Sequence, residues 1–307
     1  MIGSFLLALA SSASAQVQAP PPRTAEIVVE GQRDLKSAAS AYVDRVLPPG
    51  FQEQYGRFED PVCPKAVGVS DANKHAITDR IREVARATNI GAAGPNCDAN
   101  LILLVVDDKR AMIADIRRHR DRYVTDVGAD LLNRIANSPR PFASWQVTQM
   151  VSADNKTVGG GNNMPAGGSG ASDEKGTYNA GDYNRLGTTV PASRLRYNVK
   201  PRVTVAVVIV EARALANVST RQLADFALVR AVIPNDRHEP PAPPSSILSL
   251  LEPGVSPETA PQSVTWWDVA FLKSLMNTRS DSYADIQKSA IRNQMIREIE
   301  QVPPGQN

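Results

Sequence analysis

Leu101-Ile-Leu-Leu-Val-Val106 is six apolar residues in a row, ended by Asp107 and Asp108. A strand with one wet face alternates polar and apolar residues. An unbroken run therefore predicts a strand covered on both faces. A second run of the same kind, Val203-Thr-Val-Ala-Val-Val-Ile-Val210, comes later in the chain. Upstream of the first, residues 57–63 read as a short strand stopped by Pro64. Asp71 then reads as the cap of a helix whose Ile77, Ile81, Val84 and Ala85 fall at i, i+4, i+7 and i+8, one buried face. Strand, helix and buried strand make a βαβ pattern. The expected class is α/β or α+β, with a mixed sheet whose two buried central strands are covered by helices.

Working outward, residues 111–119 read as a helix after the Asp pair. A second helix follows, with Val124, Val127, Leu131, Leu132 and Ile135 on one face and Pro139 beyond its end. Residues 142–151 read as another strand. Residues 152–188 hold nine of the 19 glycines, which predicts a long flexible insertion. Ser219-Thr-Arg-Gln222 and Thr265-Trp-Trp-Asp268 are capping boxes, each opening a helix. The first helix turns Leu223, Phe226 and Ala227 inward and stops at Pro234. Eight prolines fall in residues 234–264, with one packed piece at Ser245-Ser-Ile-Leu-Ser-Leu-Leu251. A last helix spans residues 282–300. One globular domain is expected over residues 51–302, with a tail at 303–307.

The start of the chain reads as an export signal. Ile2 to Ala10 are a short apolar core, and Ala13-Ser14-Ala15 is a small-x-small cleavage site. No Lys or Arg precedes that core. Residues 1–15 are expected to be removed and residues 16–50 to form a tether. Within the tether, Ala25-Glu-Ile-Val-Val-Glu-Gly-Gln-Arg33 resembles the TonB box of outer-membrane receptors. That likeness implies docking of Glu26, Ile27, Val28 and Val29 to an envelope partner by strand addition. The plainer reading is a short first strand or a mobile arm. No stretch reaches the ~20 apolar residues that a spanning helix needs.

Two cysteines only, Cys63 and Cys97, fit one disulfide in an oxidising compartment. Their wide spacing lacks the paired Cys-x-x-Cys pattern of zinc sites. The balance of 34 basic and 32 acidic residues argues against a nucleic-acid partner, and 5% aromatics leave few stacking platforms.

Among chemical constellations, acids at strand ends come first, because open α/β sheets bind ligands beyond the carboxyl ends of their strands. Asp107 and Asp108 follow one buried strand and Glu211 follows the other. On parallel neighbours these three acids would share a rim able to hold a divalent cation through oxygen ligands. The structural alternative is that Asp108 caps the next helix and Glu211 pairs with Arg213. Arg117, Arg118, Arg120 and Arg122 form a basic run suited to lipid phosphates or another polyanion. Arginines at a helix C-terminus also simply favour the dipole. His75, His119 and His238 are the only imidazoles, and each lies on a polar face or in a Pro-rich loop. Gly159-Gly-Gly161 lacks the strand-to-helix setting of a phosphate loop, and no Gly-x-Ser-x-Gly elbow exists.

From Val203 onward the layout resembles that of secreted proteobacterial zinc metallopeptidases. These carry a buried strand, a His-Glu-x-x-His helix, a loop, and a helix with an Asp-x-x-x-Leu pattern. Arg221-Gln222-Leu223-Ala224-Asp225 stands where the zinc motif would be, while Ser245-Ser-Ile-Leu248 and Asp268-Val-Ala-Phe-Leu272 fit the surroundings. The resemblance covers residues 203–276 and implies a zincin-like scaffold without its metal chemistry. Arg is no zinc ligand, and Gln cannot take a proton from water.

The sequence therefore leads to an expectation of an exported, periplasmic or extracellular protein of a Gram-negative envelope. It would be a non-catalytic binding or accessory protein without a cofactor, with a pseudoenzyme scaffold implied by the resemblance. The alternative is a divalent-metal-dependent hydrolase built on Asp107, Asp108 and Glu211.

Overall fold

The computed structural model of the chain describes residues 24–47, 54–125, 127–155, 197–234 and 240–301. The expected export signal at 1–15, most of the glycine-rich insertion, His238 and the tail at 303–307 lie outside the described residues.

Four strands form one sheet: β1 (Pro64–Val67), β2 (Leu101–Val106), β3 (Phe142–Ser152) and β4 (Val199–Glu211). Their order is β1-β2-β4-β3. β1, β2 and β4 run parallel, and β3 pairs antiparallel with β4. The two apolar runs are the two central strands, and helices cover both faces. The fold is a mixed sheet of the α/β or α+β kind.

Side-chain alternation sorts the sheet into two cores. Leu101, Leu103, Ala206, Val208 and Val210 face the larger one, shared with α1 (Thr24–Val46), α2 (Asp71–Ala87), α5 (Thr220–Val232), α6 (Trp266–Asn277) and α7 (Ala284–Glu300). Ile102, Ala143, Trp145, Val147, Val205, Val207 and Ile209 face a smaller core under α3 (Lys109–His119) and α4 (Ala129–Asn137). Val203 and Val205 sit on opposite faces although two residues apart. A bulge explains this: Val147 and Thr148 of β3 pair with Val205 and Val203, leaving Thr204 extra. Its hydroxyl donates to the Val147 carbonyl at 3.1 Å.

α2 buries Ile77, Ile81, Val84 and Ala85, the face that periodicity predicts. Its cap is Ser70 and not Asp71, since the Ser70 hydroxyl accepts from the Asn73 amide. Both capping boxes form as read. α5 is buried at every residue from Gln222 to Val232, well beyond the three inward positions expected. Such a helix lies inside the larger core.

Two local expectations are corrected. Residues 57–63 are not a strand: they make isolated bridges from Arg57 to Arg202 and from Val62 to Ala92, and β1 begins at Pro64. Proline lacks the N–H that an inner strand must donate, but it fits the first position of an edge strand. β1 is followed directly by Gly68, with φ of +85° and an ideal Cβ only 1.9 Å from the Val105 carbonyl oxygen, so only glycine fits there.

The tether reading of 16–50 fails over residues 24–46, which are helical. Ala39, Tyr42, Val43 and Val46 fall at i, i+3, i+4 and i+7 and are all buried, as is Leu47. Glu26, Ile27, Val28 and Val29 are helical in backbone, so adding them as a strand to a partner's sheet would require that end of α1 to unwind.

Candidate functional site

β2 and β4 are parallel neighbours, and Val106 pairs with Glu211. The sheet therefore brings Asp107, Asp108 and Glu211 to one rim. The chain leaves β2 toward α3 over the smaller core and leaves β4 toward α5 in the larger core. Strand ends that diverge to opposite faces are where open sheets leave a crevice.

Helix-terminal chemistry occupies this rim. Asp108 is the N-cap of α3, its Oδ1 accepting from the Arg110 and Ala111 amides at 2.8 and 3.1 Å. Glu211 is buried, accepts from the Lys109 amide at 3.3 Å, and pairs with Arg213 at 2.6 Å. Asp107 is exposed. Lys109 turns away, its ammonium donating to the Ile135, Ser138 and Arg140 carbonyls at 3.2, 2.7 and 2.6 Å and so capping the end of α4. Among the described residues, no group of three or more His, Cys, Asp or Glu side chains is placed to hold a metal ion.

The motif helix α5 is likewise held by its polar residues. Arg221 is exposed. The Gln222 carbonyl oxygen accepts from the Ser219 amide at 3.0 Å, while its amide nitrogen donates to the Pro257 and Pro261 carbonyls at 2.9 and 3.2 Å. Asp225 is fully buried and receives both Nε and Nη2 of Arg80 at 2.7 and 3.0 Å, plus the Val264 amide at 2.8 Å. A bidentate guanidinium and a backbone donor occupy the carboxylate. The pairing raises the Arg80 pKa above its usual value.

Asp268 forms a second buried node. Its Oδ1 accepts from the Tyr42 and Ser246 hydroxyls at 2.6 and 2.5 Å. Its Oδ2 accepts from the Ile247 and Thr265 amides at 2.9 and 2.8 Å and from the Thr265 hydroxyl at 2.9 Å. Burial pushes its pKa up, opposed by those donors. Burial and the adjacent carboxylate also raise Tyr42 well above its usual value. Glu59 goes the other way. Burial alone would raise it, but Arg57 and Lys200, at 2.9 and 3.0 Å, outweigh that and lower it.

Cys63 and Cys97 form the expected disulfide, which joins the residue before β1 to the loop entering β2. His75 is exposed, with Nδ1 2.8 Å from the Asp71 carbonyl, and His119 faces Asp115 at 2.9 Å. Arg117, Arg118, Arg120 and Arg122 are exposed at the end of α3 and the turn after it. No described helix is long and apolar enough to cross a membrane.

In the sequence Asp268 stands out as a capping residue and as the first residue of the Asp-x-x-x-Leu pattern, while neither Asp225 nor Lys109 stands out by itself. A usable signal exists for Asp225: a carboxylate on an otherwise apolar helical face, which burial tolerates only with a cation nearby. No protein-family model, curated protein or solved structure matches the chain.

Proposed function

We propose that this chain is an exported binding or accessory protein of the bacterial envelope, without catalysis of its own, on a metallopeptidase-like scaffold that serves as architecture. One observation carries the reading: polar side chains at the suggestive spacings hold elements together. Gln222 and Asp225 tie α5 to α2 and to the loop before α6. Asp108 and Glu211 serve the start of α3. An acid that already receives a guanidinium and backbone amides has few lone pairs left for substrate or metal. The disulfide supports an oxidising compartment, as expected of a periplasmic or extracellular protein.

The alternative, a divalent-metal hydrolase, draws on one specific observation, the meeting of Asp107, Asp108 and Glu211 at adjacent strand ends. Thermal unfolding with and without Ca²⁺, Mg²⁺, Mn²⁺ or Zn²⁺ separates the two. A metal at ~100 times its dissociation constant stabilises the native state by ~2.7 kcal/mol. The proposal expects no shift with any of these ions. A shift abolished by Glu211→Gln would replace it with the hydrolase reading.

A further inference from the structure

We propose that the corner carrying Arg117, Arg118, Arg120 and Arg122 is a docking surface for a lipid layer rich in anionic phosphate headgroups. The proposal rests on the export reading and names the partner of the exported protein. Over residues 117–122 these four arginines are accompanied by one acidic residue, Asp121. α3 ends at His119, Arg120 caps it, and the chain turns at once into the 3-10 turn Asp121–Tyr123. That keeps four cationic side chains at one exposed corner.

Elsewhere Arg57, Arg80, Arg82, Arg213, Arg279 and Arg292 pair with carboxylates within 3.3 Å, while exposed arginines such as Arg86, Arg110 and Arg221 have no carboxylate partner among the described residues. What sets this corner apart is that four such side chains fall within six residues. At this corner, among the described residues, no carboxylate pairs with any of the four. Arg117 donates to the Asn133 side-chain oxygen at 2.8 Å, and the Arg122 guanidinium lies 5.1 Å from the Tyr123 ring centroid. Both contacts orient a guanidinium without neutralising it. Asp115, the nearest acid on α3, faces the His119 ring.

A guanidinium offers paired N–H donors that match two phosphate oxygens. One free phosphate on an exposed arginine competes with water and gains little. An array of headgroups engages all four side chains at once, and their contributions add. The large apolar side chains exposed among the described residues are Val67 in β1 and Ile286 in α7, so no apolar wedge of that size sits at this corner. Attachment is then peripheral and electrostatic, and salt releases it.

Cosedimentation of the full chain with lipid vesicles tests this. The protein should pellet with phosphatidylcholine vesicles containing phosphatidylglycerol, stay in solution with phosphatidylcholine alone, and be released by high salt. Replacing each arginine by Gln should weaken binding by roughly 5-fold, so that R117Q/R118Q/R120Q/R122Q no longer pellets. Should that variant unfold, R118Q/R120Q keeps the test, because those two side chains are exposed and make no ion pair with the described side chains. Equal binding to neutral vesicles, or unchanged binding by a folded variant, overturns the proposal. Displacement by inorganic phosphate at constant ionic strength would also overturn it, pointing to a free-anion site. Cell fractionation tests export separately, so failure of one is not mistaken for failure of the other.

Discussion

Asp225 shows how a suggestive residue becomes a structural one. It lies on a helix buried from Gln222 to Val232, where an ionised carboxylate without partners would be untenable. Arg80 reaches it from α2 with two parallel N–H groups, and the Val264 amide supplies a third donor. The pair sits at a helix–helix seam, since α2 packs directly on α5. Removing Arg80 leaves the Asp225 charge buried without its cation, whereas removing Asp225 leaves Arg80 paired with Glu83 at 2.9 Å. Arg80→Ala should therefore cost about 3–5 kcal/mol in urea unfolding. The Arg80→Met, Asp225→Leu double variant should lose less than the summed single changes. Additive losses would mean that the two side chains act independently and that the seam is held by apolar packing.

At the scale of elements, the parts of the fold legible in sequence were those whose own residues decide them. Residues 101–106 and 203–210 are unbroken apolar runs, and the Ser219 and Thr265 boxes supply their own caps. α1 was not legible. Its Ile27-Val28-Val29 and Gly31 suggest extended chain, and only packing of Tyr42, Val43 and Val46 on α6 and α7 makes the helix worthwhile. Tyr42 stacks on Trp267 with ring centroids 5.9 Å apart and donates to Asp268. Asp268 thus joins α1, the 3-10 segment Ile247–Leu251 and the start of α6.

This joint has a pH signature. Burial raises the folded pKa of Asp268 above the ordinary 3.8. The folded protein then binds a proton there that the unfolded chain does not. Its contribution to stability is fully present below the unfolded value and lost as pH rises through the folded one. Glu59 has the opposite sign. Burial would raise it, but Arg57 and Lys200 hold it below the ordinary 4.5, so its contribution is present above 4.5 and lost on acidification through the folded value. Denaturation midpoints followed from neutral to acidic pH should move in favour of wild type over Asp268→Asn as pH falls. Over Glu59→Gln they should move against wild type. Parallel curves for wild type and both variants would show that neither group titrates differently on folding.

For the molecule as a whole, both the nearness of the candidate acids and their structural use are legible in the sequence. Asp107, Asp108 and Glu211 meet because β2 and β4 are parallel neighbours, which two buried runs suggest. Capping of α3 by Asp108 and pairing of Glu211 with Arg213, two residues on, are local patterns that the sequence offers and the structure contains, whereas the Lys109 amide that Glu211 accepts is a contact across the fold. The disulfide is legible too, since the chain offers only two cysteines and the fold brings them together.

That disulfide also gives the most direct test of the central claim, an exported binding protein. Cells expressing the full chain are fractionated under a thiol-alkylating reagent, and the modification state of Cys63 and Cys97 is read by mass spectrometry. The account predicts recovery in the periplasmic or extracellular fraction, with both cysteines resistant to alkylation until a reductant is added. Recovery in the cytoplasm with two alkylated thiols would contradict it.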